Sequence, residues 1–125
     1  MSDKNACARG AAPKLIFACS GAADVGAIAD KAAREMTKEG NGGMFCLAGI
    51  GGRIEPIMKK TAGADRILAI DGCPLNCVKT TLESAGFAEF EHLQLADLGM
   101  EKGSTKINSA NIETVVVAGA KMLAS

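Results

Sequence analysis

The sequence lacks the features of a nucleic-acid-binding protein. It contains no Trp or Tyr and only four Phe among 125 residues, so an aromatic platform that stacks on bases is not expected. Its 14 Lys and Arg residues are balanced by 14 Asp and Glu residues, and they form no basic block. Because affinity for nucleic acids depends on neutralising phosphates, we expect no nucleic-acid partner.

Long apolar segments are also missing. No run approaches the roughly 18 residues of a membrane span. The apolar stretch from Leu15 to Cys19 is shorter than the hydrophobic part of a secretory signal. We therefore expect a cytoplasmic protein with no membrane partner. Thiols stay reduced in that compartment, so its five cysteines are more readily explained as metal ligands or redox groups than as disulfides.

Histidine is almost absent, which restricts the catalytic sites that can be proposed. The single histidine, His92, is expected on the surface or half-buried on an edge strand, and no Ser-His-carboxylate set can be built around it. The glycine-rich segments 21–26 and 49–52 match neither the Walker nor the G-x-G-x-x-G pattern. We interpret them as tight turns, with room between them for a small ligand.

Short apolar segments alternate with helical patterns along most of the chain. Buried strands are predicted at residues 15–18, 44–47 and 66–70, and a fourth strand, nearer an edge, at residues 87–95. Helices are predicted from an N-cap at Asp24 to a stop at Gly40, over residues 54–61 and 78–85, and from Asn108 or Ser109 to Leu123. Residues 48–52 are predicted to form a turn and residues 97–105 a loop.

This alternation is typical of an α/β fold. We predict a small three-layer open sheet, mainly parallel, with about four strands and with helices on both faces. Residues 1–13 are expected to be a flexible lead-in, and residues 14–125 are expected to form one domain.

Three cysteines lie at or just after the carboxyl ends of the first three predicted strands, at equal spacing. Cys19 and Cys46 are 27 residues apart, as are Cys46 and Cys73. The carboxyl ends of parallel strands form the edge at which such sheets bind ligands. Neighbouring strands are about 4.8 Å apart, which suits the roughly 4 Å between sulfurs around tetrahedral zinc. A shared site favours the strand order 2-1-3-4, with the first strand between the second and third.

Cys77 supplies a fourth thiol, one helical turn after Cys73 and at the start of a predicted helix. Several interpretations remain open, because a buried cysteine is often only a small apolar residue. We favour zinc held by Cys19, Cys46, Cys73 and Cys77. The alternatives are a thiol redox enzyme, in which Cys73 is the nucleophile and Cys77 or Cys46 its partner, and an iron–sulfur cluster, although the ferredoxin spacing is absent. Cys7 is expected to be a spare thiol.

At these residues the chain resembles the DGC-domain family, whose members are proposed to bind zinc. The matching segments are Cys19-Ser20-Gly21 with Val25-Gly26, residues 46–52, Asp71-Gly72-Cys73-Pro74 with Cys77, and Asp97-Leu98-Gly99 with Lys102-Gly103. The resemblance covers residues 14–105 and implies a four-cysteine zinc site at Cys19, Cys46, Cys73 and Cys77. It implies no particular reaction, so metal sensing, metal transfer and zinc–thiolate chemistry all remain hypotheses, and whether the protein is an enzyme stays open.

Overall fold

The structure is a computed structural model that describes residues 13–124. Cys7 and the predicted lead-in, apart from Pro13, lie outside the described residues. The strands are β1 Lys14–Ala18, β2 Gly43–Met44, β3 Arg66–Asp71 and β4 Glu91–Gln94. The helices are α1 Asp24–Glu39, α2 Leu47–Gly51, α3 Glu55–Ala62, α4 Cys77–Ser84 and α5 Ser109–Ala124, and a short 3₁₀ helix, Leu95–Leu98, follows β4.

The strands form one parallel sheet in the order β2-β1-β3-β4, so the predicted order 2-1-3-4 is confirmed. Ala18 at the end of β1 pairs with Ile70 of β3, and Asp71 at the end of β3 pairs with Gln94 of β4. The carboxyl ends of these strands therefore share one edge. We call this the carboxyl edge of the sheet.

Side chains that alternate along the strands build a core on each face of the sheet. On one face the strands contact α1 and α5, in a core that includes Ile16, Ala18, Leu68, Ile70, Ile28 and Val115. On the other face they contact α2 and α4, in a core that includes Leu15, Phe17, Ala69, Ile50, Val78 and Leu82. The prediction of a small three-layer α/β fold with helices on both faces is confirmed.

The region around β2 differs from the prediction. The expected strand over residues 44–47 ends at Met44, and the expected turn over residues 48–52 is largely the helix α2. Ile50 is fully buried against the sheet and α4, and this packing outweighs the weak helix propensity of the neighbouring glycines. A side chain at Gly49 would collide with Ile57, so this glycine lets α3 approach α2. Cys46 therefore precedes a helix rather than ending a strand.

The fourth strand is shorter than the predicted range 87–95, but it lies at the edge of the sheet as expected. Only Leu93 of this strand is buried in the core. The predicted loop over residues 97–105 begins inside the 3₁₀ helix. Within residues 13–124, no helix is long and apolar enough to cross a bilayer.

Candidate metal centre

The loop after β3 crosses the start of α1 at Gly72. A Cβ atom at Gly72 would lie 2.5 Å from the carbonyl oxygen of Val25 and 2.9 Å from the amide nitrogen of Gly26. A Cβ atom at Gly26 would in turn lie 2.8 Å from the amide nitrogen of Gly21. These glycines therefore allow three backbone segments to meet at the carboxyl edge, directly beside Cys19 and Cys73.

Asp71 ties the same loop to the start of α4. Its carboxylate is only 1% exposed and accepts hydrogen bonds from the amides of Val78, at 2.8 Å, and Lys79, at 3.1 Å. These amides belong to the first turn of α4, where backbone donors have no partner within the helix. Asp71 therefore orients the Cys73–Cys77 loop through backbone amides.

Two side chains of β4 also reach this loop. His92 Nε2 lies 2.9 Å from a carboxylate oxygen of Asp71. Gln94 Nε2 donates to the carbonyl of Cys73, at 3.0 Å, and to Oδ1 of Asn76, at 2.6 Å. The sequence interpretation missed both contacts. His92 is half-buried as expected, but its pairing with Asp71 depends on the register of β4, which no local pattern in the sequence reveals.

Cys19 follows β1 and is partly buried against both cores. Its sulfur accepts a hydrogen bond from the amide of Gly72 at 3.3 Å. Burial raises the pKa of the Cys19 thiol above its usual value, although the Gly72 amide opposes this shift. A cation beside the sulfur would favour the thiolate in this environment.

Cys46 and Cys19 line the same open cleft, which has a volume of about 580 Å³. Its polar wall contains Asp30, which accepts hydrogen bonds from Ser20 Oγ, at 2.7 Å, and from Arg34 Nε, at 2.8 Å. Burial alone would raise the pKa of Asp30, but the hydrogen bonds from Arg34 and Ser20 outweigh it and lower the pKa overall. Cys19 and Cys46 therefore face a cleft in which the Asp30 carboxylate is already paired with the Arg34 guanidinium group.

Cys73 and Cys77 lie on the other side of Cys19. Cys73 is partly buried against the core beside α1, and Cys77 is exposed as the first residue of α4. Asn76, between them, has a left-handed backbone with φ of 55°, which is uncommon for a residue other than glycine. The hydrogen bond from Gln94 helps to hold it in this conformation.

The four thiols thus share the carboxyl edge, but their side chains are not gathered at one point. Among residues 13–124, no three Cys, His, Asp or Glu side chains are placed to hold one metal ion. In the structure, Cys19 and Cys46 line one cleft. The loop that contains Cys73 contacts Cys19 through the amide of Gly72. The donor set suits zinc, because all four are sulfurs, but coordination requires side-chain rearrangement.

Comparison with known proteins agrees with this arrangement of motifs. The chain matches the family described as the DGC domain over residues 15–118. The chain belongs to the DGC-domain family. A relative from Pseudomonas aeruginosa, named "Anaerobic and virulence modulator AnvM", is 35% identical over 88 residues, which cover 70% of this chain and 67% of that protein. No solved structure matched the chain.

Another DGC-domain segment, which contains Lys102 and Gly103, is held against the start of α1 by Asp24. The Asp24 carboxylate accepts hydrogen bonds from the amides of Gly103, at 2.9 and 3.0 Å, and Thr105, at 3.0 Å. The predicted N-cap at Asp24 is therefore wrong by one residue: Ala23 is the N-cap, and Asp24 is the first residue of α1. These two amides lower the pKa of the Asp24 carboxyl group.

Asp24 is expected to stabilise the fold only where it is ionised. Because its folded-state pKa lies below the ordinary value of 3.8, its contribution is complete above that value and is lost as the pH falls through the folded-state pKa. We expect Asp24→Asn to melt at a lower temperature than the wild type at neutral pH, and this difference to narrow between about pH 5 and about pH 2. Glu101→Gln, which removes an exposed carboxylate from the same loop, is the control. A difference that is independent of pH would contradict this role for Asp24.

Proposed function

We propose that this DGC-domain protein binds one zinc ion through the thiolates of Cys19, Cys46, Cys73 and Cys77. The observation that carries the proposal is the strand order β2-β1-β3, because it places the residues that follow three adjacent strands at one edge of the sheet. Cys77 joins them through the short loop that Asp71 fixes. The resemblance of the cysteine motifs to those of the DGC-domain family implies the same four positions.

The burial of the four thiols is compatible with this rearrangement. Cys46 and Cys77 are exposed, so their side chains can turn without leaving a core, whereas Cys19 and Cys73 are already partly buried at the centre of the edge. Zinc–sulfur distances of about 2.3 Å would bring the four sulfurs together. The positive charge of the zinc ion would favour the thiolate of each coordinating cysteine, and it would offset the repulsion between four thiolates.

A closed four-thiolate site argues against catalysis at the metal and fits structural zinc, metal sensing or metal transfer. Zinc that catalyses a reaction keeps one position open for water or substrate. The word "modulator" in the name of the Pseudomonas relative supports a regulatory role, which we extend to this chain as part of the proposal. The cleft of about 580 Å³ beside Cys19 and Cys46 has room for a small ligand next to the metal. The cytoplasmic location remains a prediction.

Zinc content tests this proposal. Protein purified under reducing conditions is expected to contain about one zinc per chain, and serine at any of the four cysteines is expected to weaken zinc binding at least tenfold, since each substitution removes a ligand. Cys7→Ser is the matched control and is expected to retain zinc. Metal-free wild-type protein that also fails to take up added zinc would contradict the proposal.

The second candidate function is thiol–disulfide chemistry without metal. It is favoured by the absence, among residues 13–124, of three ligands already gathered, and by the exposure of Cys77 and Cys46. In this hypothesis the Cys73 thiolate attacks a disulfide substrate and releases one thiol, and a second cysteine then displaces the other. Zinc-free protein that forms one specific internal disulfide with such a substrate would favour this function. An iron–sulfur cluster, the third hypothesis, would give a brown protein under anaerobic purification.

A further inference from the structure

The edge strand β4 carries two side chains whose hydrogen bonds converge on the Cys73–Cys77 loop. His92 contacts Asp71, which holds the start of α4, and Gln94 contacts both the Cys73 carbonyl and the Asn76 side chain. We call His92 and Gln94 the β4 brace. Residues two apart in a strand face the same side, so both members of the brace point to the side on which Asp71 and α4 lie.

The attachment of β4 to the sheet does not depend on the brace. Its backbone pairs with β3 from Leu68 to Asp71, and its one core side chain, Leu93, points to the opposite face. The side chain of Glu91, on the same face as Leu93, lies 3.4 Å from Arg66 in a partly exposed ion pair. Gln94 Oε1 also accepts a hydrogen bond from the amide of Ala96, at 3.2 Å, and so caps the 3₁₀ helix. The other side-chain hydrogen bonds of His92 and Gln94 are directed to the thiol loop and to Asp71.

The loop needs such support because part of it adopts an uncommon conformation. Asn76 lies in the left-handed region, and the residue after it is Cys77. Left-handed backbone costs roughly 1–2 kcal/mol for most residues with a side chain, and Asn tolerates it better because its side chain can hydrogen-bond. The 2.6 Å contact from Gln94 to Asn76 and the 3.0 Å contact to the Cys73 carbonyl fix both ends of the segment that separates the two thiols. Because these hydrogen bonds already restrict the loop, less conformational entropy is lost when a metal binds.

We propose that His92 and Gln94 are positioning residues that preorganise Cys73 and Cys77 for the metal, so that β4 sets the affinity of the site without supplying a ligand. This inference rests on the proposed four-cysteine site. His92 acts through Asp71 on the first turn of α4 and hence on Cys77. Gln94 acts directly on the backbone of Cys73 and on the side chain of Asn76.

Loss of the brace is expected to weaken metal binding without removing a donor. Outer hydrogen-bond partners of metal ligands typically change metal affinity about 10- to 100-fold when they are replaced. We expect Gln94→Met, which keeps the length of the side chain but not its amide, to weaken binding by a factor in this range. His92→Leu is expected to have a similar effect, and His92→Gln, which retains an N–H donor for Asp71, to restore part of the lost affinity.

Titration of the reduced, metal-free full-length protein with Co²⁺, followed by competition with zinc, measures these affinities. The visible spectrum of the cobalt–thiolate complex at saturation reports whether the same four sulfurs coordinate. Glu91→Gln is the matched control, because it alters β4 next to the brace but leaves the thiol loop untouched. The melting temperature of each metal-free variant separates positioning of the loop from stability of the fold.

The expected result is weaker cobalt and zinc binding in Gln94→Met and His92→Leu, with an unchanged saturated spectrum and with both metal-free variants fully folded at the temperature of the titration. His92→Leu is expected to melt below Glu91→Gln, because the buried Asp71 carboxylate loses a partner. Wild-type affinity in both brace variants would overturn the inference while leaving the proposed function intact. The inference would also be overturned if the loss of metal affinity in each variant matched its loss of folded protein and if His92→Gln restored none of the affinity. If the wild type itself binds neither metal, the proposed function fails, and the inference fails with it.

Discussion

Gly72→Ala is expected to lower the free energy of unfolding by about 3 kcal/mol, at the upper end of the usual range for overpacked sites. The added Cβ would lie 2.5 Å from the carbonyl oxygen of Val25 and 2.6 Å from its carbonyl carbon. Both atoms belong to the backbone of α1, so no side chain can rotate away to make room. The β3–α4 loop and the start of α1 must separate, and Cys73 would move away from Cys19.

Chemical denaturation of the metal-free protein measures this effect. Gly43→Ala is the control, because a Cβ atom there would have no neighbour within 4 Å. Its expected effect is smaller than about 1 kcal/mol in either direction, since alanine also restricts the unfolded chain. Equal stabilities of the two alanine variants would show that the backbone does not cross as closely at Gly72 as the structure indicates.

Asp71→Asn is expected to cost about 3 kcal/mol in unfolding free energy, since net hydrogen bonds to a charged group are worth about 1.5 to 3 kcal/mol each. The Asp71 carboxylate is buried, accepts hydrogen bonds from the amides of Val78 and Lys79, and lies 2.9 Å from His92 Nε2. An asparagine side chain has only one oxygen, so its NH₂ group would face a donor and leave it without a partner. The first turn of α4, which contains Cys77, is the part that loses its anchor.

Two measurements separate loss of this anchor from a general effect of removing charge. Denaturation of Asp97→Asn, which replaces an exposed carboxylate, is expected to change stability by less than about 0.5 kcal/mol. Hydrogen exchange at the amides of Val78 and Lys79 is expected to accelerate in Asp71→Asn and not in Asp97→Asn. Unchanged protection of these two amides would contradict the role assigned to Asp71.

The sheet could be predicted because several short patterns along the sequence each indicate the same strands and connections. Continuous apolar segments such as Leu15–Ala18 indicate strands buried on both faces, and helical patterns between them require parallel connections. The strand order was derived from chemistry rather than from packing: thiols after the first three strands can share a site most directly if the first strand lies between the other two. The structure confirms that order independently of any metal.

The details that the sequence did not reveal depend on contacts between distant segments. Residues 48–52 look like a turn because three of them are glycines, yet Ile50 packs into the core and Leu47–Gly51 is helical. His92 and Gln94 look like ordinary residues of an edge strand. Only the register that pairs Asp71 with Gln94 brings them to the thiol loop, and no periodicity within residues 87–95 encodes that register.

X-ray absorption at the zinc edge, recorded on the zinc-loaded wild-type protein, tests the central claim most directly. We expect four sulfur ligands at about 2.3 Å and no nitrogen or oxygen bound directly to the zinc. Loss of one sulfur is expected in Cys46→Ser, the variant of the exposed thiol that lies before α2. A shell dominated by nitrogen and oxygen, or one that Cys46→Ser leaves unchanged, would contradict a single site built from all four cysteines.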